Sequence, residues 1–201
     1  MIRGFVGILD ALIRFTSTAS RVGAWFAGAL FVVAAALVSV EVFIRKFLNW
    51  SITGIDELSG FALAMGISWG LAFTLLRRAH IRIDTLLVIL PVNLRVLLDI
   101  FGTLLFAGYM LIVTRQGMVV LLQSIAVDAK ATTIPVPMMI PQAVWLGGFV
   151  FFVFVAALLI VRSIIAVLSG DVQTVQKLLG SRSVLAESSE GTRPHAKLDP
   201  S

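Results

Sequence analysis

The residues of this sequence best placed to do chemistry are the acidic ones inside or beside its apolar runs. Glu41 lies in such a run, four residues before Arg45. A carboxylate in hydrocarbon is costly, so it is either a functional proton or ion site or is neutralised by a neighbour. Because Glu followed by Arg four residues later is a favourable helical spacing, we favour a neutralised pair at the membrane interface.

Asp56 and Glu57 precede a second apolar run, Leu58–Leu76. The positive end of a helix dipole favours carboxylates there, which explains both residues as helix-terminal charges. Glu57 alternatively pairs with Arg45 across the ends of two neighbouring helices. Both interpretations remain open at this point.

Arg115 is a basic residue inside an apolar run, since Val119–Leu122 continue that run after it. Two arrangements would satisfy its charge. The side chain snorkels to lipid headgroups if the helix is tilted, or it pairs with a partner, on another subunit for example.

A polar cluster follows the second run directly and consists of Arg77, Arg78, His80, Arg82 and Asp84. His80 is one of two histidines in the chain, so it cannot supply the two intramembrane imidazoles that bis-histidine haem ligation needs. We find no metal-ligand spacing and no Ser-His-acid motif. The prediction is therefore no cofactor, no metal site, no catalytic residue and no enzymatic activity, with a structural role for His80.

The composition is that of a membrane protein. Of 201 residues, 59% are hydrophobic and 13% charged, with a mean hydropathy of +1.01. About a quarter of a soluble domain is charged, so this chain cannot cover itself with polar surface. The net charge of +5 comes from residues flanking apolar runs, which favours contact with lipid headgroups over nucleic acid. Cysteine is absent.

The apolar runs predict an all-α membrane bundle of four transmembrane helices, arranged up and down. The expected spans are residues 22–44, 58–76, 96–120 and 141–161, within a domain covering 20–165. Residues 1–19 form a separate prediction: their apolar positions follow a helical period, which favours an amphipathic helix on the cytoplasmic membrane surface over one that packs on its own bundle. Residues 166–201 are expected to be a cytoplasmic tail, mostly disordered after 180.

The distribution of basic residues predicts the orientation. Twelve Lys and Arg residues fall in the N-terminal segment, the connection between spans 2 and 3 and the C-terminal segment. Three fall in the connections between spans 1 and 2 and between spans 3 and 4. Cytoplasmic loops carry the excess of positive charge, so both termini are expected in the cytoplasm.

The second span also carries a stripe of small residues, at Ala62, Gly66, Gly70 and Thr74. Gly66 and Gly70 form a GxxxG step, which lets another helix approach closely. The approaching helix belongs either to this chain, which we favour, or to a second protein.

Taken in order, these residues resemble the DctQ-type small membrane subunit of tripartite ATP-independent periplasmic (TRAP) transporters. The similar features are Arg45 near the end of span 1, the opening Glu57-Leu58-Ser59-Gly60 of span 2, the closing His80-Ile81-Arg82-Ile83-Asp84, and a proline-bearing approach to span 4 at Pro135–Pro141. Pro137 departs from the family's usual spacing. The resemblance covers about residues 20–165.

The resemblance implies a role in the bacterial inner membrane. A periplasmic substrate-binding protein delivers an organic acid, such as a carboxylate, to a membrane pair driven by an ion gradient. The large membrane subunit, of about a dozen spans, carries the substrate and ion sites. The small subunit packs against its static scaffold and anchors it in the lipid bilayer, with Arg45, Glu57, the glycine step, the Arg77–Asp84 cluster and Arg115 as candidate interface or structural residues.

Three other functions remain open from the residues alone. The first is a channel or transporter formed by self-association and lined by Glu41 and Arg115. The second is a membrane enzyme or electron carrier, and the third is a scaffold protein unrelated to transport.

Overall fold

The computed structural model describes residues 2–77, 92–169 and 178, and within them the chain forms four long helices. These are α1 (Ile2–Leu48), α2 (Ile55–Leu76), α3 (Val92–Ala126) and α4 (Met139–Leu168). Each is long and apolar enough to cross a membrane. The prediction of an all-α, four-span membrane protein is confirmed. Arg78, His80, Arg82, Asp84 and almost all of the predicted tail lie outside the described residues.

Helix α1 is longer than the predicted first span. It runs without a break for 47 residues, ~70 Å at ~1.5 Å per residue, and so joins the predicted segment 1–19 to the span 22–44. The polar stretch between them does not end the helix because its hydroxyls bond to carbonyls of their own turns: Thr16 donates to the Ile13 oxygen (3.0 Å) and Ser20 to the Ser17 oxygen (3.0 Å). The location of residues 2–18 on the membrane surface stays a prediction.

The helices follow the spatial order α1, α2, α4, α3. Helix α2 packs between α1 and α4, and α3 packs chiefly on α4, with a smaller contact between α1 and α4. Residues 49–54, which we call the first loop, and residues 127–138, which we call the second loop, lie at the same end of the bundle, because Glu57 and Gly54 contact the second loop. We call this end the loop end. Since α1 and α3 stand at the two ends of the spatial order, they are the outer helices of the bundle.

The apolar core lies where α2, α3 and α4 meet. Phe152 and Ala72 are fully buried, and Val155 and Leu159 are almost fully buried. The Phe152 ring packs edge-on against Phe106 of α3, with centroids 5.2 Å apart. The interior of this part of the bundle is therefore filled by its own side chains.

Small residues set the spacing between the helices. A Cβ on Gly66 would lie 3.3 Å from the Ala27 carbonyl oxygen and 2.8 Å from the Phe31 ring of α1. The predicted stripe of small residues on α2 therefore accommodates α1 of the same chain. On the other side of α2, a Cβ on Gly148 of α4 would lie 2.7 Å from the Ser68 backbone carbon.

Candidate functional site

The loop end brings together the carboxylates that the sequence singled out. Glu57 lies in the first turn of α2, as predicted, and its carboxylate accepts hydrogen bonds from two consecutive backbone N–H groups of the second loop. The donors are Thr132 (2.8 Å) and Thr133 (3.0 Å). Paired N–H groups of this kind bind anions, and here the bound anion is the Glu57 carboxylate of the same chain.

The second loop is shaped to present those two amides. The Ala131 N–H donates to the Val136 carbonyl and the Met138 N–H to the Ala129 carbonyl, both at 2.9 Å, which closes a small hairpin with Thr132 and Thr133 near its tip. Ile134 of the tip packs directly over Gly54, leaving no room there for a side chain. Gly54 also has a φ of 93°, a conformation that glycine adopts without strain. The loop is thus held against the start of α2 by both polar and apolar contacts.

Glu41 holds the first loop in the same way. Its carboxylate accepts hydrogen bonds from the Ser51 hydroxyl (2.6 Å) and the Ile52 N–H (2.9 Å), and the residue is 5% exposed. The loop therefore turns back along α1, and the last turns of that helix project past it. Both carboxylates are occupied by hydrogen bonds and serve as structural acceptors.

The predicted ion pairs of Arg45 are not formed. Among the described residues, the ion pairs join Lys130 with Asp128 and Arg162 with Asp10, and neither Glu41 nor Glu57 pairs with Arg45. The reason is competition: each carboxylate has loop N–H or O–H donors within 3.0 Å, whereas Arg45 is exposed and lies beyond ion-pair distance of both. The Glu41–Arg45 ion pair is therefore not formed, although the charge of Arg45 still acts on Glu41 from a longer distance. Of the two interpretations left open for Glu57, the pairing with Arg45 is not formed.

Arg77, Gly66 and Gly70, three of the predicted interface or structural residues, contact other residues of this chain. The Arg77 guanidinium lies over the Phe73 ring, 5.2 Å from its centroid, at the end of α2 opposite the loop end. Gly66 is buried against α1, and a Cβ on Gly70 would meet the Ala27 Cβ at an ordinary contact distance of 3.9 Å. These glycines are used within the chain.

Arg115 is exposed on α3 and makes no ion pair with the described residues. Its neighbour Thr114 is buried and donates its hydroxyl to the Met110 carbonyl (2.7 Å). The two adjacent residues thus lie on different faces of the helix, and Arg115 is directed away from the chain's own core.

Two connections were not anticipated from the sequence. Arg162 of α4 pairs with Asp10 of α1 at 2.8 Å, and Trp69 of α2 donates its indole N–H to the Val144 carbonyl of α4 at 2.9 Å. A signal existed for the second, because an indole N–H inside a membrane span requires an acceptor. Arg162 contributed only to the charge count that sets the orientation.

Comparison with known proteins bears on what such a bundle does. The family model of the DctQ component of tripartite ATP-independent periplasmic transporters matches residues 34–166. No curated protein and no solved structure matches the chain. The match begins within α1 and ends within α4, so it includes all of α2 and α3, both loops of the loop end, Glu41 and Glu57. Because it spans more than half of the sequence, the chain belongs to the DctQ family, the small membrane component of TRAP transporters, a family of transporter components and not of enzymes.

Proposed function

We propose that this chain is the small membrane subunit of a secondary transporter that takes up organic acids using an ion gradient. In this role it packs against the large membrane subunit and anchors it in the bilayer, while substrate is bound by the other components. The observation that carries the proposal is the family match over residues 34–166, on a chain with four helices able to span a membrane.

The distribution of burial supports a packing role. Phe152, Val155 and Leu159 fill the contact region of the inner helices, whereas large apolar side chains on α1 and α3 remain uncovered, such as Val32 (71% exposed) and Ile112 (65%). In a membrane such faces are covered by lipid or by another protein. The exposed apolar faces of α1 and α3 are therefore the surfaces available to lipid and to a partner subunit.

The loop end supports a rigid surface on the periplasmic side. The excess of basic residues elsewhere supports an orientation with the loop end in the periplasm and both termini in the cytoplasm. There, Glu41 and Glu57 fix the two loops through hydrogen bonds, which reduces their freedom before any partner binds. A large subunit whose substrate-carrying part moves across the membrane needs a fixed part to move against, and a rigid bundle embedded in lipid contributes to that fixed part.

The test is reconstitution of transport from defined components. The chain is co-expressed with the large membrane subunit of its transporter, and uptake of a labelled organic acid into proteoliposomes is measured with the substrate-binding protein added. We expect the two membrane subunits to co-purify and uptake to require all three proteins. Transport by this chain alone, or full uptake without it, would overturn the proposal.

A further inference from the structure

We propose that the uncovered face of α3 around Arg115 is the surface that binds the large membrane subunit, and that a carboxylate on a spanning helix of that subunit pairs with the Arg115 guanidinium. We call this surface the Arg115 face. It consists of Leu104, Gly108, Leu111, Ile112, Arg115, Met118, Val119 and Leu122. The inference rests on the proposed function, since it assigns the surface through which that function's partner binds.

Helix α3 is an outer helix with one side committed to the chain. Its buried residues Thr103, Met110, Thr114 and Gly117 recur at helical spacing toward α4. In its most apolar stretch 22% of the residues are buried, compared with 33% in α2 and in α4. Most of the α3 surface is therefore free to contact something else.

The Arg115 face is apolar except at its centre. Leu111 and Ile112, one turn before Arg115, are 56% and 65% exposed, and Val119, one turn after, is 43% exposed. Helix α1 is also largely uncovered, but its sequence from Val22 to Val40 contains no charged residue, so lipid tails satisfy it fully. The Arg115 face is different because lipid tails cannot solvate a guanidinium.

The position of Arg115 along the helix argues against a headgroup as its partner. It lies three turns before the end of α3 at Ala126, ~16 Å at ~1.5 Å per residue. Gly117, two residues after it, lies against Leu146 and Trp145, about two turns into α4. Two residues further along α4, Gly148 lies against Ser68 near the middle of α2, so Arg115 lies near that depth. A carboxylate on a neighbouring helix would meet the guanidinium at that depth with two parallel hydrogen bonds.

The shape of the face suits a helix as the occupant. Gly108 lies two turns from Arg115 on the same side, and a Cβ built there would meet no atom within 4 Å. A glycine with open space above it in a membrane helix allows a second backbone to come close. The charge of Arg115 at the centre of the face and the open space over Gly108 together favour a helix of the large subunit over a lipid chain.

The first experiment compares the recovery of the large subunit with tagged variants of this chain. Arg115→Leu is expected to reduce that recovery roughly tenfold, and Arg115→Glu to reduce it further, because a like charge then faces the carboxylate. Arg21→Leu, which removes an exposed arginine from α1, is the matched control and should behave as wild type. Thermal unfolding of each variant alone checks that the chain still folds. Undiminished recovery with folded Arg115→Leu would show that Arg115 serves only lipid headgroups and would overturn the proposal.

The second experiment uses the absence of cysteine from the chain. Ile112→Cys and Val119→Cys are labelled separately with a photoactivatable maleimide in the complete transporter, with Val32→Cys as the exposed control on α1. Cross-links to the large subunit are expected from the two α3 positions. Cross-links from Val32→Cys alone would assign the interface to α1 and overturn the proposal while leaving the proposed function intact. Failure of the wild-type chain to co-purify with the large subunit would overturn both.

Discussion

At the scale of single residues, Glu41 and Glu57 bind the loops of the loop end. Glu57 accepts from the Thr132 and Thr133 amides, and Glu41 from the Ser51 hydroxyl and the Ile52 amide. A charged acceptor strengthens such bonds, and each carboxylate connects a helix to a loop. These two side chains therefore contribute to the order of the loop end, together with the hairpin and the contact of Ile134 with Gly54.

Removal of the Glu57 charge should loosen the second loop. In Glu57→Ala the Thr132 and Thr133 amides lose their acceptor, so their hydrogen exchange should become several-fold faster. Asp56→Asn is the matched control, because Asp56 lies in the same turn, is exposed and contacts neither amide. Hydrogen–deuterium exchange in nanodiscs measures the effect, and equal exchange in the two variants would contradict this account of the loop.

Charge reversal distinguishes backbone binding from an ion pair. Glu57→Lys should reduce loop order and assembly, and the addition of Arg45→Glu should restore neither, because Arg45 makes no ion pair with Glu57. The measurement is hydrogen exchange of the loop, together with recovery of the large subunit. Recovery of both in the double variant would mean that the two residues pair after all.

At the scale of elements, α2 determines the packing because it contacts both α1 and α4. Close approach depends on residues without bulk, above all Gly148 against the Ser68 backbone. Backbone atoms cannot move aside as a flexible side chain can. The α2–α4 contact should therefore be sensitive to a single methyl group.

Gly148→Ala is expected to destabilise the chain by about 1–3 kcal/mol, the usual cost of overpacking a close contact. Gly147→Ala is the matched control on the adjacent residue, where the added Cβ would lie 3.7 Å from the Trp69 ring, an ordinary contact. That change should shift stability by less than about 0.5 kcal/mol. Thermal unfolding in detergent compares the two, and equal stability would show that α2 and α4 are less closely packed.

The N-terminal part of α1 is connected to α4 through Asp10 and Arg162. Their side chains are 43% and 13% exposed, so the pair is partly shielded from water. A double-mutant cycle with Asp10→Asn and Arg162→Gln should give a coupling free energy of about 0.5–1 kcal/mol. The more exposed pair Asp128–Lys130, at 3.8 Å, is the control and should give almost no coupling. Equal coupling free energies in the two pairs would mean that the Asp10–Arg162 pair does not hold the N-terminal part of α1 against α4.

At the scale of the whole molecule, the outer helices are largely uncovered within the part of the chain that the structure describes. The buried share of the most apolar stretch is 17% in α1 and 22% in α3. Such a molecule needs a membrane around it and offers long surfaces to a second membrane protein. This agrees with membership of a family whose members work as one part of a three-part transporter.

The proposed orientation can be tested with the cysteine-free chain. A membrane-impermeant maleimide should label Asp128→Cys at the loop end in intact spheroplasts, because this side chain is 83% exposed. Ala11→Cys, exposed near the other end of α1, should be labelled only after the membrane is permeabilised. The reverse pattern would place the loop end in the cytoplasm.

The membrane environment, the fold class and the family of this protein could all be predicted from its sequence. Four apolar runs of sufficient length predict four spanning helices, because hydropathy depends on local composition and needs no knowledge of contacts. The order of motifs around Glu57 and His80 likewise indicated the family that the comparison then showed. The join between residues 1–19 and the first span was missed, because the polar residues at 16–20 bond within their own turns.

Tertiary structure alone decided how the charged groups are used. Glu57 and its loop amides are separated by 75 residues in sequence, and Asp10 and Arg162 by 152. Periodicity relates residues only along one helix, so it could not choose between loop amides and Arg45 as partners for Glu57. The order α1, α2, α4, α3 also left Arg115 on an outer face, since which side of a helix is covered depends on which neighbours pack against it.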